Sequence, residues 1–414
     1  MMGDLRTVGA HLATVLDAVR PTDHGTTTLP QAFGRTLATA VTAAVDVPVF
    51  DNSAMDGFAV RFADVASATP DSPVTLRVVA DLPAGTQDDP PLGPGQAARI
   101  MTGSPVPTDA DAIVPFEHTA GGLEDSLNTV VVLRAPAAEG AHVRRRGEDL
   151  RTGDEVLPAG IRLGAWQLGA IAAAGVGRVT VSAPPRVLVV STGSELVAPG
   201  TALHRGQIPE SNSTLIAGLV AEAGGHVVHV ASVDDEGSGL RGLLREYTGA
   251  GLDAVVFTGG VSAGAYEVVK NELADAMTFS KVAMQPGKPQ GFGVTSEGTL
   301  LFGLPGNPVS AAVSFEVFVR PALLAMQGRT DLTRPVLRLP ASTSWRTPPG
   351  RRQYLPATID RTDPAHWTVG PATRGGSGSH LAGGLGRAEA YAVVPAETDA
   401  VTAGDLVDVL LLEG

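Results

Sequence analysis

Five short segments of this chain carry residues suited to anion and hard-cation chemistry. They are Thr192-Gly193-Ser194-Glu195, Asp234-Asp235, Thr258-Gly259-Gly260-Val261-Ser262, Gly287-Lys288-Pro289 and Leu304-Pro305-Gly306-Asn307-Pro308. Glycines and hydroxyls at helix starts offer backbone N–H groups to an anion. Carboxylates hold a cation such as Mg²⁺ through their oxygens, and an ammonium neutralises a phosphate-like oxygen. A separate acidic stretch, DVPVFDNSAMDGF at residues 46–58, brings Asp56. Each group also has a structural use. A glycine after a strand makes a turn, the carboxylates Glu195, Asp234 and Asp235 cap helices, and Asp56 before Gly57 reads as a turn residue.

The elements that must position these groups favour a site. From Arg186 the segments RVLVVST, HVVHVASV, AVVFTGG, FSKVAM and LLFGL read as strands. Between them NSTLIAGLVAEAGG, LRGLLREY and VVKNELADA read as helices, and a long helix runs from Val309 to about Met326. This alternation predicts a doubly wound parallel sheet. Ligands of open α/β sheets bind outside the carboxyl ends of the strands, and all five segments fall there. Upstream, Val8, Leu12, Val15, Leu16 and Val19 share a helical face that Pro21 stops. The runs VTLRVV, AARIM, AIVPF and NTVVVLR, separated by Gly and Pro, predict a small β-rich unit. A helix is predicted from Ala165 to Ala174, and Pro184-Pro185 marks a boundary. The last part of the chain, ending in LVDVLLL, reads as a small β-barrel or sandwich.

The chain has 414 residues, 43% hydrophobic and 18% charged, enough for several packed cores. There is no cysteine, so disulfides, thiolate metal sites and cysteine nucleophiles are excluded. A net charge of −13 argues against nucleic acid as a partner. No secretory signal or apolar span is visible, so the expectation is a cytoplasmic protein without a membrane partner. Only three of the 30 basic residues are lysine, Lys270, Lys281 and Lys288, and all fall within 19 residues. Arg-rich codon usage explains the scarcity of lysine but not the clustering.

Two motifs are set aside. Gly260-Val261-Ser262-Ala263-Gly264 matches a nucleophile elbow, but the downstream His366 and His380 belong to the C-terminal β unit. Tyr266 and Lys270 have a dehydrogenase spacing without a G-x-G-x-x-G fingerprint. There is no P-loop and no H-E-x-x-H.

Strings along nearly the whole chain resemble the molybdopterin molybdenumtransferases, the MoeA-type proteins related to the gephyrin E domain. In family order they are PVFDNSAMDGFAV, RIMTGSPVPTDADAIVPFE, RRRGEDL, STGSEL, TGGVSAG, QPGKP, LPGNPVSAAVSFEVFVRP, RRQYLPATI and GSGSHLAGGLGRAEAYAVVP. The resemblance implies an elongated multidomain α/β plus β fold. A discontinuous N-terminal domain (1–45 and 146–183) would carry an inserted β-rich domain (46–145). A MogA-like sheet domain (184–327) and a C-terminal β-barrel (328–414) would follow. It implies a homodimer whose active sites lie between the sheet domain of one subunit and the inserted domain of the other. The implied reaction is Mg²⁺-dependent insertion of molybdate into adenylylated molybdopterin with release of AMP. A MogA-type adenylyltransferase and apo-molybdoenzymes are the implied protein partners.

By family match, Glu195 and Asp235 are candidates for Mg²⁺ coordination. Asp56, Thr102 and Asp149 would orient molybdate and the leaving group from the other half of the cleft. Arg144 and Lys288 would contact anions. Thr192, Gly193, Gly259, Gly260 and Ser262 would cradle phosphate and pterin, with Pro305 and Asn307 beside them. The sequence departs from the family at Gln285, where lysine is common, at Ala265, where an acid is common, and at Ser194, where aspartate is common. Two other functions stay open at this point, a catalytically silent dimeric scaffold and a metal-dependent nucleotide hydrolase.

Overall fold

A computed structural model describes residues 5–123, 126–234, 236, 239–261, 268–373, 378 and 381–412. The first helix, Val8–Asp17, is capped by Thr7, whose side chain accepts from the Ala10 N–H at 3.1 Å. It buries Val8, His11 and Val15. His11 stacks edge-on to Phe318, with ring centroids 4.7 Å apart. Burial, and then the charge of Arg6, lower its pKa to about 4. The unfolded imidazole therefore binds a proton that the folded one rejects, so stability falls as pH drops from about 6.5 towards 4. Denaturant titrations should show a loss of up to about 3 kcal/mol over that window. His11→Leu should flatten that slope.

Strand His24–Thr28 pairs antiparallel with Arg178–Ser182, and Val41–Thr42 pairs with Glu155–Leu157. Leu37, Val41, Leu163, Ile171, Val179 and Val181 close one core between these distant segments. The chain between them builds a five-stranded sheet, in the order Ala112–Pro115, Gly57–Val60, Gln96–Ile100, Val74–Leu82, Thr129–Val132. These strands contain the β runs expected from the sequence. Gly57 lies in a strand, not a turn. A Cβ there would stand 2.1 Å from the Val114 carbonyl oxygen, so only glycine lets these strands meet.

The central six-stranded sheet has the order His226–Val233, Arg186–Thr192, Ala254–Thr258, Leu300–Leu304, Pro289–Val294, Met277–Lys281. Its first four strands are parallel. Separate apolar clusters cover its two faces, one around Val187, Val189 and Phe302, the other around Leu188, Val190 and Phe257. This is the doubly wound arrangement the alternation predicts, with one difference. Pro289–Val294 runs antiparallel to both neighbours. The five residues between it and Leu300 can form a hairpin but are too few for a crossover helix. The helix expected over VVKNELADA is shorter, Val268–Glu272.

The long apolar rod is Pro308–Ser314, a π-helical turn Phe315–Val319 and Arg320–Met326. Residues Pro308–Met326 have the length and composition of a membrane span, but 83% of their most apolar window is buried inside the fold. They are a core helix.

The C-terminal strands run Met284–Gln285, Arg352–Asp360, Ala390–Val394, Leu406–Leu411, Val336–Pro340, and Thr368–Pro371 pairs with Arg352–Asp360. A parallel bridge between Ala341, just after Val336–Pro340, and Val369 joins the last strand of this path to the Thr368–Pro371 branch. The bridge closes the small barrel expected from the sequence. Met284–Gln285 lies beside Arg352–Gln353, so this barrel abuts the carboxyl edge of the central sheet.

Candidate active site

A cleft of about 580 Å³ opens at that edge. Its walls come from Thr192, Gly193 and Glu195 after one strand, Thr258, Gly259 and Gly260 after the next, and Pro305–Pro308 after a third. Gln285 to Pro289 and the helix start at Glu210 to Asn212 complete it. Tight turns bring these loops together. Gly259 has φ +90°, and a Cβ on it would stand 2.7 Å from Thr192 Oγ1.

Glu195 folds its carboxylate over Gly193, where an added Cβ would stand 2.5 Å from Oε2. The Glu210 carboxylate is engaged differently, accepting from the Ser213 N–H at 2.9 Å at the start of helix Asn212–Glu222. Lys288 is half-buried in the wall. Among the described residues it makes no ion pair.

The structure thus gathers Thr192, Gly193, Glu195, Gly259, Gly260, Lys288, Pro305 and Asn307 around one cleft. Asp235 and Ser262 lie outside the described residues. The other sequence candidates do not line the cleft in the same chain. Asp56 Oδ1 accepts from the Thr102 N–H at 2.6 Å and from Thr102 Oγ1 at 2.7 Å. The backbone bond first, and then the hydroxyl, hold the Asp56 carboxyl below its usual range, so it is ionised at neutral pH. Arg144 lies opposite Asn52 in a short strand pair. Its neighbours are engaged, Arg145 with Asp51 and Arg146 with Asp46, whereas Arg144 makes no ion pair among the described residues. Asp149 is exposed, and its N–H donates to the Val47 carbonyl at 2.9 Å.

The sequence marks Asn212 only as the first residue of a helix, yet it forms part of the wall. Its Nδ2 donates to the Gly306 carbonyl at 2.6 Å, and its buried Oδ1 has no partner among the described residues. The Thr258 hydroxyl in the same wall is also buried without one. An unpaired buried polar atom costs about 1–3 kcal/mol. Both atoms are placed to meet a ligand or a water in the cleft. No spacing signals such a residue, because it becomes part of the cleft only when the 304–308 loop meets the helix. Among the described residues no group of three or more acidic or histidine side chains is arranged around a metal. Among the described residues the Glu195 carboxylate has no partner, and a hard oxygen donor of this kind suits Mg²⁺, which keeps few protein ligands.

Residues 6–175 match the family model of the MoeA N-terminal region (domain I and II), 188–325 that of a probable molybdopterin binding domain, and 338–412 that of the MoeA C-terminal region (domain IV). Molybdopterin molybdenumtransferase 2 of Mycobacterium tuberculosis is 43% identical over 408 residues, 97% of this chain and 98% of the relative. The chain belongs to the molybdopterin molybdenumtransferase family. It is a transferase of molybdenum cofactor biosynthesis. A relative from a Nostoc species is 35% identical over 391 residues, 92% of this chain and 87% of its own. Among solved structures, a molybdopterin biosynthesis MoeA protein from Pyrococcus horikoshii superposes with a TM-score of 0.82 at 26% identity, covering 99% of this chain and all of that one. The multidomain α/β plus β architecture is shared with it.

Proposed function

We propose that the enzyme inserts molybdenum from molybdate into the dithiolene of adenylylated molybdopterin, with Mg²⁺ taking part and AMP released. The observation that carries this reading is the cleft itself. Glycine turns converge at the carboxyl edge of the sheet with a carboxylate and an ammonium that have no partner among the described residues. Breaking a phosphoanhydride beside an oxyanion accumulates negative charge, and these groups can offset it. Lys288 holds a phosphate oxygen. The backbone at Thr192, Gly193, Gly259 and Gly260 cradles phosphate and pterin, with Pro305 and Asn307 closing the pocket, and the family match assigns Ser262 the same role. Glu195 and Asp235 would hold Mg²⁺, which when bound neutralises phosphate oxygens.

The partner subunit of a homodimer supplies the other half. There Asp56, held by Thr102, works with Asp149 to orient molybdate and the leaving group, and Arg144 contacts the anion. Support comes from their absence from the cleft lining of their own chain and from bulky apolar side chains left exposed, Phe33 at 64% and Trp166 at 89%. The domain boundaries we adopt are 1–45 with 146–183, 46–145, 184–327 and 328–414. The reaction places the enzyme in the cytoplasm, after a MogA-type adenylyltransferase and before apo-molybdoenzymes.

The test is AMP release from adenylylated molybdopterin and Mg²⁺, with and without molybdate. Release that depends on molybdate is expected. Release without it would make the protein a nucleotide hydrolase, and no release from a well-folded dimer would make it a scaffold.

A further inference from the structure

A charged triad lies buried where the core helix meets the C-terminal barrel. The helical rod Pro308–Met326 carries a single acid, Glu316, inside its π-helical turn Phe315–Val319. Such turns are rare and recur at functional positions. The Glu316 side chain is 5% exposed, and Arg334 and Arg320 beside it are 10% and 12% exposed. Arg334 forks onto the carboxylate, Nε to Oε1 at 2.9 Å and Nη2 to Oε2 at 3.3 Å. Its Nη1 donates to the Leu412 carbonyl, just past the barrel strand Leu406–Leu411. Arg320 Nε stands 3.6 Å from Glu316 Oε1, and its Nη1 donates to the Leu332 carbonyl at 3.2 Å. Burial first, and then the Glu316 charge, push up the phenol of Tyr391 on the barrel strand Ala390–Val394. Apolar side chains of similar size would hold helix and barrel together at least as firmly. What the fork adds is direction, because two parallel N–H···O bonds fix one angle.

That angle reaches the cleft. The Arg352 N–H of the barrel donates to the Ala283 carbonyl at 3.0 Å, and Arg351 Nη1 donates to Gln285 Oε1 at 2.8 Å. Gln285, Pro286 and Gly287 line the cleft, so a tilt of the barrel moves that wall. Glu316, Arg320 and Arg334 themselves do not line it. We propose that the Arg320–Glu316–Arg334 triad is an orientation clamp, a set of positioning residues that fixes the angle of the barrel on the core helix and, through it, the Gln285 wall of the cleft. The clamp stands on these contacts alone, whereas its effect on turnover rests on the reaction proposed above.

The test measures the angle directly in the full-length protein. The chain has no cysteine, so Glu222→Cys beside the sheet and Glu397→Cys on the barrel, both at exposed positions, place one spin label on each part. Label-to-label distances are read by double electron–electron resonance, with labelled chains diluted in unlabelled ones. The labelled parent should give one narrow distance peak. Arg334→Lys keeps the charge and loses the fork, and Glu316→Leu/Arg320→Met/Arg334→Leu removes the triad. Both should broaden the peak, the triple variant more. The triple variant should melt at or above the wild-type temperature, while its kcat/KM for adenylylated molybdopterin falls about tenfold through the displaced wall. An unchanged peak in folded variants would overturn the clamp, whatever happens to the melting temperature. Wild-type turnover in a folded variant with a broadened peak would overturn its positioning role. If the triple variant does not fold, Arg334→Lys decides by the same two readings. A broadened peak in a protein without molybdate-dependent turnover would uphold the clamp and remove the proposed reaction.

Discussion

Mixing Asp56→Ala chains with Glu195→Ala chains restores activity that neither variant has alone. This outcome follows if each active site takes its cleft from one subunit and its Asp56–Thr102 pair from the other. A mixed dimer then holds one site in which both halves are intact and one in which both are damaged. With random 1:1 exchange half the dimers are mixed, so recovery should approach about a quarter of wild-type activity. The structure makes the experiment informative, because the Asp56–Thr102 pair does not line the cleft of its own chain. Chains would be unfolded and refolded together, then assayed against each variant refolded alone. Absence of recovery, with dimers verified by mass, would place both residues in a site within one chain.

Replacing Glu195 by glutamine should lower kcat by roughly 100- to 1000-fold, the usual consequence of removing one preorganised charged group from a reacting centre. The amide keeps the shape of the side chain and removes its charge. No hydrogen bond or ion pair among the described residues depends on the Glu195 carboxylate, so the melting temperature should stay at the wild-type value. Glu210 provides the contrast. Its carboxylate caps the helix at Ser213, so Glu210→Gln should cost roughly 0.5–1 kcal/mol of stability through the helix terminus while turnover changes little. Paired unfolding curves and steady-state rates separate the two roles. A stable Glu195→Gln enzyme with wild-type kcat would remove Glu195 from the chemistry.

Much of this arrangement was legible in the sequence because hydrophobic runs and breakers agree. The buried runs at 187–190 and 254–258 could only be central strands, and Gly or Pro separates the inserted β segments. The strand Pro289–Val294 was missed because it opens on proline and contains two glycines, which suit close packing and have little strand preference of their own. Gly57 looked like half of a turn. Only the approach of the Val114 carbonyl shows why glycine stands there, and with it why Asp56 sits in the bend just before a strand. Barrel closure through Ala341 and Val369 is a single bridge, too small to leave a pattern. The cleft loops could be read from the carboxyl-edge rule, whereas Asn212 could not. Its contact with Gly306 joins segments 94 residues apart.

Transfer of molybdenum onto the pterin is tested by reconstitution of an apo-molybdoenzyme. Purified protein would be supplied with adenylylated molybdopterin, Mg²⁺ and molybdate, then mixed with the cofactor-free acceptor. Acceptor activity should appear in step with AMP release and disappear when molybdate is omitted. AMP released from the same mixture, with the acceptor left inactive, would contradict the claim.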